Sequence, residues 1–173
     1  KGKIQKDIKK IITTIGAYIL KLADKGDNLE ENKLKILENI KNGKAYNKFL
    51  ELVQNQNGDI EYVKNTDKFE KAKYILPVIC EKDGYVEKLN AGEVGKISVD
   101  LGAGRLRKED DIDKAVGIVL NKKNADKVKK GDILAFVYAN NKQKGEKAVE
   151  EMQDAYTIVE EPVKKEKYIL GII

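Results

Sequence analysis

The chain has no histidine, no tryptophan, one cysteine and two prolines among its 173 residues. Each shortage excludes something. Without histidine, the usual general base near neutral pH and the commonest metal ligand are both missing. The lone cysteine, Cys80, allows neither an internal disulfide nor a cysteine-rich zinc site. It sits in the apolar run "YILPVIC", where a cysteine serves as a small core residue. No run approaches the roughly 18 consecutive apolar residues of a membrane span, and no charged-then-apolar leader precedes a cleavage site. A cytoplasmic protein with no membrane partner is therefore expected. Charge of one sign is scarce as well. The 34 basic and 29 acidic side chains nearly cancel, leaving +5. Lysines and acids alternate in "KDIKK", "LEENKLKILEN" and "KGEKAVEEMQD", which reads as a solvated mixed surface and not as a nucleic-acid interface.

What is present divides into two regions. Ile4, Ile8, Ile11, Ile12, Ile15, Ile19 and Leu22 recur at spacings of three and four, which predicts a helix over residues 4–22. Asn28 with Glu31 is a capping-box pattern, and Leu34, Leu37 and Ile40 carry a second helix to Gly43. A third, with Tyr46, Phe49, Leu50 and Val53 on its apolar side, ends near Asn57-Gly58. Each helix offers only one apolar stripe, so the layer needs a further surface to pack on. Lys1 is not a methionine and a helix begins almost at once, which leads to the expectation of a C-terminal piece of something longer.

Character changes near Tyr74. "YILPVIC" is suited to a strand, with Pro77 pointing to an edge position. "DGYVEKLN" reads as a turn and a strand, and Asn90 with Glu93 opens a helix through roughly Leu101 that Gly102 stops. "VGIVL" and "ILAFVYAN" are strands around a turn-rich excursion, residues 142–154 are helical with Ala148, Val149 and Met152 inward, and "YTIVE" and "YILGII" close the chain as strands. The expectation is an α+β protein with a helical segment over residues 1–73 and a mixed α/β domain over residues 74–173.

Arginine is the scarcest charged residue, and both copies, Arg105 and Arg107, lie in "DLGAGRLRKEDDIDKAVGIVL". Gly102-Ala-Gly104 resembles the start of a dinucleotide fingerprint, but the third glycine is missing and the segment leaves a helix instead of entering one. Gly102 is better read as a helix cap, and Gly104 as a tight bend or a close backbone approach. A guanidinium offers a rigid fork of donors for carboxylate or phosphate. Two readings stay open: an internal clasp to Asp100, Asp110, Asp111 or Asp113, or a bond to another domain or an anionic ligand.

"GIVLNKKNADKVKKGDILAFVYAN" has the strand–turn–strand form of biotinyl and lipoyl carrier domains, and Asp113-Lys114-Ala115 is the triplet that carries the lipoyl lysine there. The triplet sits a single residue before Gly117, leaving no room for the intervening strand, so the likeness is one of fold. A stand-alone barrel-sandwich binding or carrier module is the alternative reading, and an interaction domain without a small-molecule site is a third.

Taken in order, Gly84-Tyr-Val, "LGAGR", "DDIDKAVGIVL" and Val128-Lys-Lys-Gly131-Asp132 closing on "YAN" resemble the C-terminal domain of pyrimidine-nucleoside and thymidine phosphorylases. "NGKAYNKFLELVQNQNGD" is similar to an upstream segment of the same family, and Ala125 departs from a pattern that favours glycine before the aspartate. The resemblance implies a barrel-sandwich, hammerhead-like second domain. It implies a homodimeric parent enzyme that cleaves uridine, thymidine or deoxyuridine with inorganic phosphate, without a cofactor or metal. It also implies that the phosphate-loop and pyrimidine-binding residues of the family have no counterparts here. This chain would then hold no catalytic or substrate-binding residue and depend on the remainder of the parent. Its own contribution would be a cleft-closing loop, Gly102, Gly104, Arg105 and Arg107, held by the acids around it.

Overall fold

The computed structural model describes residues 4, 6–105 and 107–171. Two compact units emerge, one running up to Thr66 and including the stretch from Glu166 on, the other Asp67–Lys165. The α+β expectation holds.

The first unit contains helices α1 (Lys6–Leu22), α2 (Leu29–Lys41), α3 (Lys44–Asn55) and the short α4 (Ile60–Lys64). Asn28 caps α2 as its pattern predicts: its side-chain oxygen accepts from the backbone N–H of Glu30 at 2.9 Å and of Glu31 at 3.2 Å. The isoleucine stripe of α1 is not its buried face. Ile8, Ile12, Ile15 and Ile19 are exposed, whereas Thr13 and Ala17 are buried. Small residues let two helix backbones approach, so α1 meets α2 through that narrow strip. A Cβ on Gly16 would lie 3.0 Å from Ile36 Cδ1. The wholly buried Asn32 donates from Nδ2 to the carbonyls of Gly26 at 2.7 Å and Ala17 at 3.3 Å.

The second unit holds two three-stranded antiparallel sheets. One has the order β1 (Tyr74–Ile79), β5 (Ile133–Ala139), β3 (Gly117–Leu120); the other has β4 (Lys127–Val128), β2 (Gly84–Leu89), β6 (Tyr156–Val159). Pro77 lies on an edge strand, where its missing N–H costs no ladder bond. Helices α5 (Ala91–Ser98) and α6 (Lys142–Asp154) complete the unit, each capped by an asparagine side chain, Asn90 and Asn141. Gly145 on α6 packs so closely that a Cβ would come within 2.7 Å of Leu76 Cδ1 and 3.0 Å of Ala139 Cβ. Val78, Val86, Val128, Leu134, Val137 and Met152 form the fully buried centre, with Cys80 beside them as the small core residue expected.

Two turns between β3 and β5 follow one design. In Lys123–Asp126 and again in Lys129–Asp132, the aspartate N–H donates to the carbonyl three residues back, and its carboxylate accepts from that residue's N–H. Both turns dock by paired backbone bonds, the first on Val86 and the second on Cys80. The third position has positive φ in each, 69° at Ala125 and 91° at Gly131. The Lys122 ammonium, 3.0 Å from Asp132, and the Lys129 N–H hold the Asp132 carboxyl below its ordinary value. Two differences from the sequence expectation stand out. The helix that begins with α5 runs past Leu101 and breaks at Gly102 (φ 112°), as expected, but from Val99 to Ala103 it is wound more widely than an α-helix. Among the described residues, Tyr168–Gly171 is not a strand, since none of it pairs with a sheet; Ile172 and Ile173 lie outside the described residues.

Candidate functional site

The arginine loop is built by its two glycines and two of its acids. Gly102 adopts the left-handed conformation that ends the wide turn, and its carbonyl accepts from the Asp113 N–H at 2.9 Å. Gly104 is extended, and it is small for a different reason. A Cβ there would sit 2.7 Å from Val99 Cγ2. Gly102 is thus the left-handed stop expected of it, whereas Gly104 makes room for the Val99 side chain and not for a second backbone.

The acids act on backbone and amide groups. Asp110 Oδ2 accepts from the Arg107 N–H at 2.8 Å, and the Asp110 N–H donates to the Arg107 carbonyl at 3.1 Å. Asp113 accepts from the Ala115 N–H at 3.0 Å with Oδ1 and from the Asn140 Nδ2 at 2.7 Å with Oδ2. Asn140 in turn accepts from the Lys73 N–H at 2.9 Å. The loop is therefore fastened to the end of β5 and to the residue preceding β1. Arg105 and Arg107 are both exposed, and among the described residues neither guanidinium makes an ion pair. Lys114 is exposed in the turn ahead of β3.

Asp100, Asp110 and Asp111 line one side of a groove of about 460 Å³, with Gly102 and Gly104 in its wall. The opposite wall is α6, which contributes Lys144, Lys147 and Glu151, the last two paired at 3.2 Å. These α6 residues were missed by the sequence reading. Their spacing of three and four along one helical face was the available signal. The groove holds four carboxylates and two ammonium groups, a lining suited to polar contact with another surface. Among the described residues, no three His, Cys, Asp or Glu side chains converge as a metal site, and no helix is long and apolar enough to cross a membrane.

Residues 85–159, which run from the start of β2 to the end of β6 and include the loop and groove, match the pyrimidine nucleoside phosphorylase C-terminal domain. Pyrimidine-nucleoside phosphorylases of Staphylococcus aureus strains USA300 and NCTC 8325 are each 39% identical to the chain over 163 residues. The aligned stretch is 94% of this chain and 37% of the relatives, so the chain spans little more than a third of their length.

Proposed function

Because the chain carries the C-terminal domain of the pyrimidine-nucleoside phosphorylase family, we propose that it serves phosphorolysis as scaffold and closing element. The reaction would convert uridine, thymidine or deoxyuridine and inorganic phosphate into the free base and a ribose or deoxyribose 1-phosphate. Phosphate and pyrimidine would be bound by the remainder of a longer, homodimeric parent enzyme. In such a reaction, bringing phosphate to C1′ of an oxocarbenium-like sugar is a matter of positioning and charge stabilisation. A domain that sets the closed geometry then controls turnover without touching substrate.

The observation that carries this reading is the division of labour in the arginine loop. Two of its acids, Asp110 and Asp113, are engaged with backbone and amide groups, and its guanidiniums project from a fastened loop without an ion-pair partner among the described residues. Arg105 is assigned the bond across the cleft. A charge-assisted hydrogen bond of that kind is worth about 1.5–3 kcal/mol, enough to bias an open–closed equilibrium by tenfold or more. In the full-length enzyme, Arg105→Ala is expected to lower kcat about tenfold or more while leaving Tm unchanged. Unchanged kinetics would remove the closing role.

A further inference from the structure

Residues directly opposite one another on antiparallel strands share a face of the sheet. The register of β1, β5 and β3 therefore sorts their side chains into two sets. Leu76, Val137 and Ile118 form one row with Val78, Ala135 and Leu120 beside it, and this face belongs to the core. The other face reads Ile75, Tyr138, Gly117 in one row and Pro77, Phe136, Val119 in the next. Ile75 is 55% exposed and Val119 50%, while Phe136 and Tyr138 are half-buried.

An antiparallel sheet with one side in water alternates apolar inward and polar outward. This sheet does not. In a chain whose residues are 36% charged, both outer rows are without a single charge. Pro77 removes a donor from the β1 edge, so strand addition there is disfavoured and the face itself is the open feature. An uncharged face gives no purchase to a nucleic acid or an acidic peptide; its complement is another apolar surface.

We infer that this outer face is a docking surface for an apolar patch on the part of the longer phosphorylase that this chain lacks. The inference rests on the family reading. That part has the size to supply the cover, since the chain spans only 37% of its relatives. The sheet is also tied at one end to the arginine loop. Gly117 opens β3 directly after it, and the 2.7 Å bond between Asp113 and Asn140 fastens the loop to the end of β5. A body that reached across to the arginine loop would therefore also have the end of this sheet within its span.

The test uses Val119→Cys. Cys80 is buried, so the introduced thiol is the accessible one in this chain. Its alkylation rate, read at the peptide level by mass spectrometry, is compared between the 173-residue chain and the full-length protein. Protection by about tenfold or more in the full-length protein is expected. Equal rates would overturn the inference, and so would concentration-dependent protection in the 173-residue chain, which would make a second copy the occupant. Ile75→Cys, in the neighbouring row, gives an independent reading should the first variant misfold. Equal rates in a full-length protein that still phosphorolyses uridine would defeat the docking surface alone. A full-length protein without that activity would defeat the family reading.

Discussion

Ala125 has φ 69° at the position where the sister turn places Gly131 at 91°. A side chain in the left-handed region costs roughly 1–2 kcal/mol, partly offset because alanine has less freedom than glycine to lose on folding. Ala125→Gly should therefore stabilise the chain by about 0.5–1 kcal/mol, seen as a higher denaturant midpoint; a lower midpoint would count against strain at this turn. Tyr156 makes the second prediction. Its hydroxyl lies 3.0 Å from the Lys122 carbonyl and 3.1 Å from that of Leu134, and burial, with a smaller push from Asp126, raises its pKa to about 12. The folded state thus resists ionisation that the unfolded chain undergoes near 10. The Tyr156 contribution is complete below pH 10 and declines as pH rises towards 12. Tyr156→Phe should lose about 1 kcal/mol at neutral pH and flatten that alkaline decline; an unchanged slope would show that the hydroxyl is not what titrates. At this scale the rarity of arginine located the loop. The partners of its acids were not legible, because a carboxylate chooses among nearby donors only once the loop geometry exists.

Asparagine is the residue that organises the helices. It caps α2, α5 and α6, and the caps were readable for the first two because glutamate follows three residues on. The isoleucine periodicity of α1 revealed a helix and its apolar stripe but not which strip meets α2, since periodicity identifies a face without identifying its neighbour. The contact goes through Thr13, Gly16 and Ala17 with Asn32 opposite, a polar residue that hydropathy places at the surface. Asn32→Leu would leave the Gly26 and Ala17 carbonyls without this buried donor and should cost about 1–3 kcal/mol. Thermal unfolding followed by circular dichroism measures it, and an unchanged midpoint would remove Asn32 as the tie between α1 and α2. The elements overlooked in the sequence, α4 and β4, have five and two residues, too few for any period to repeat. The stop at Gly102 was legible, but the wider winding of Val99–Ala103 leaves no pattern of its own.

As a whole molecule, the chain is proposed to depend on groups it does not contain. The purified 173-residue chain is accordingly expected to show no uridine phosphorolysis above the uncatalysed rate, and measurable base release would overturn that dependence. The sheet order β1-β5-β3 has a further consequence, in the time order of synthesis. The central strand, Ile133–Ala139, is the last of the three to leave a ribosome, so the apolar segments Tyr74–Ile79 and Gly117–Leu120 emerge with no partner of their own sheet. A nascent chain in that condition exposes two unpaired strands to its neighbours on the polysome. Lys71 and Lys73 before the first, and Lys122 and Lys123 after the second, occupy the flanking positions where charged gatekeepers oppose aggregation. The order of synthesis thus leaves the sheet incomplete until its middle strand arrives.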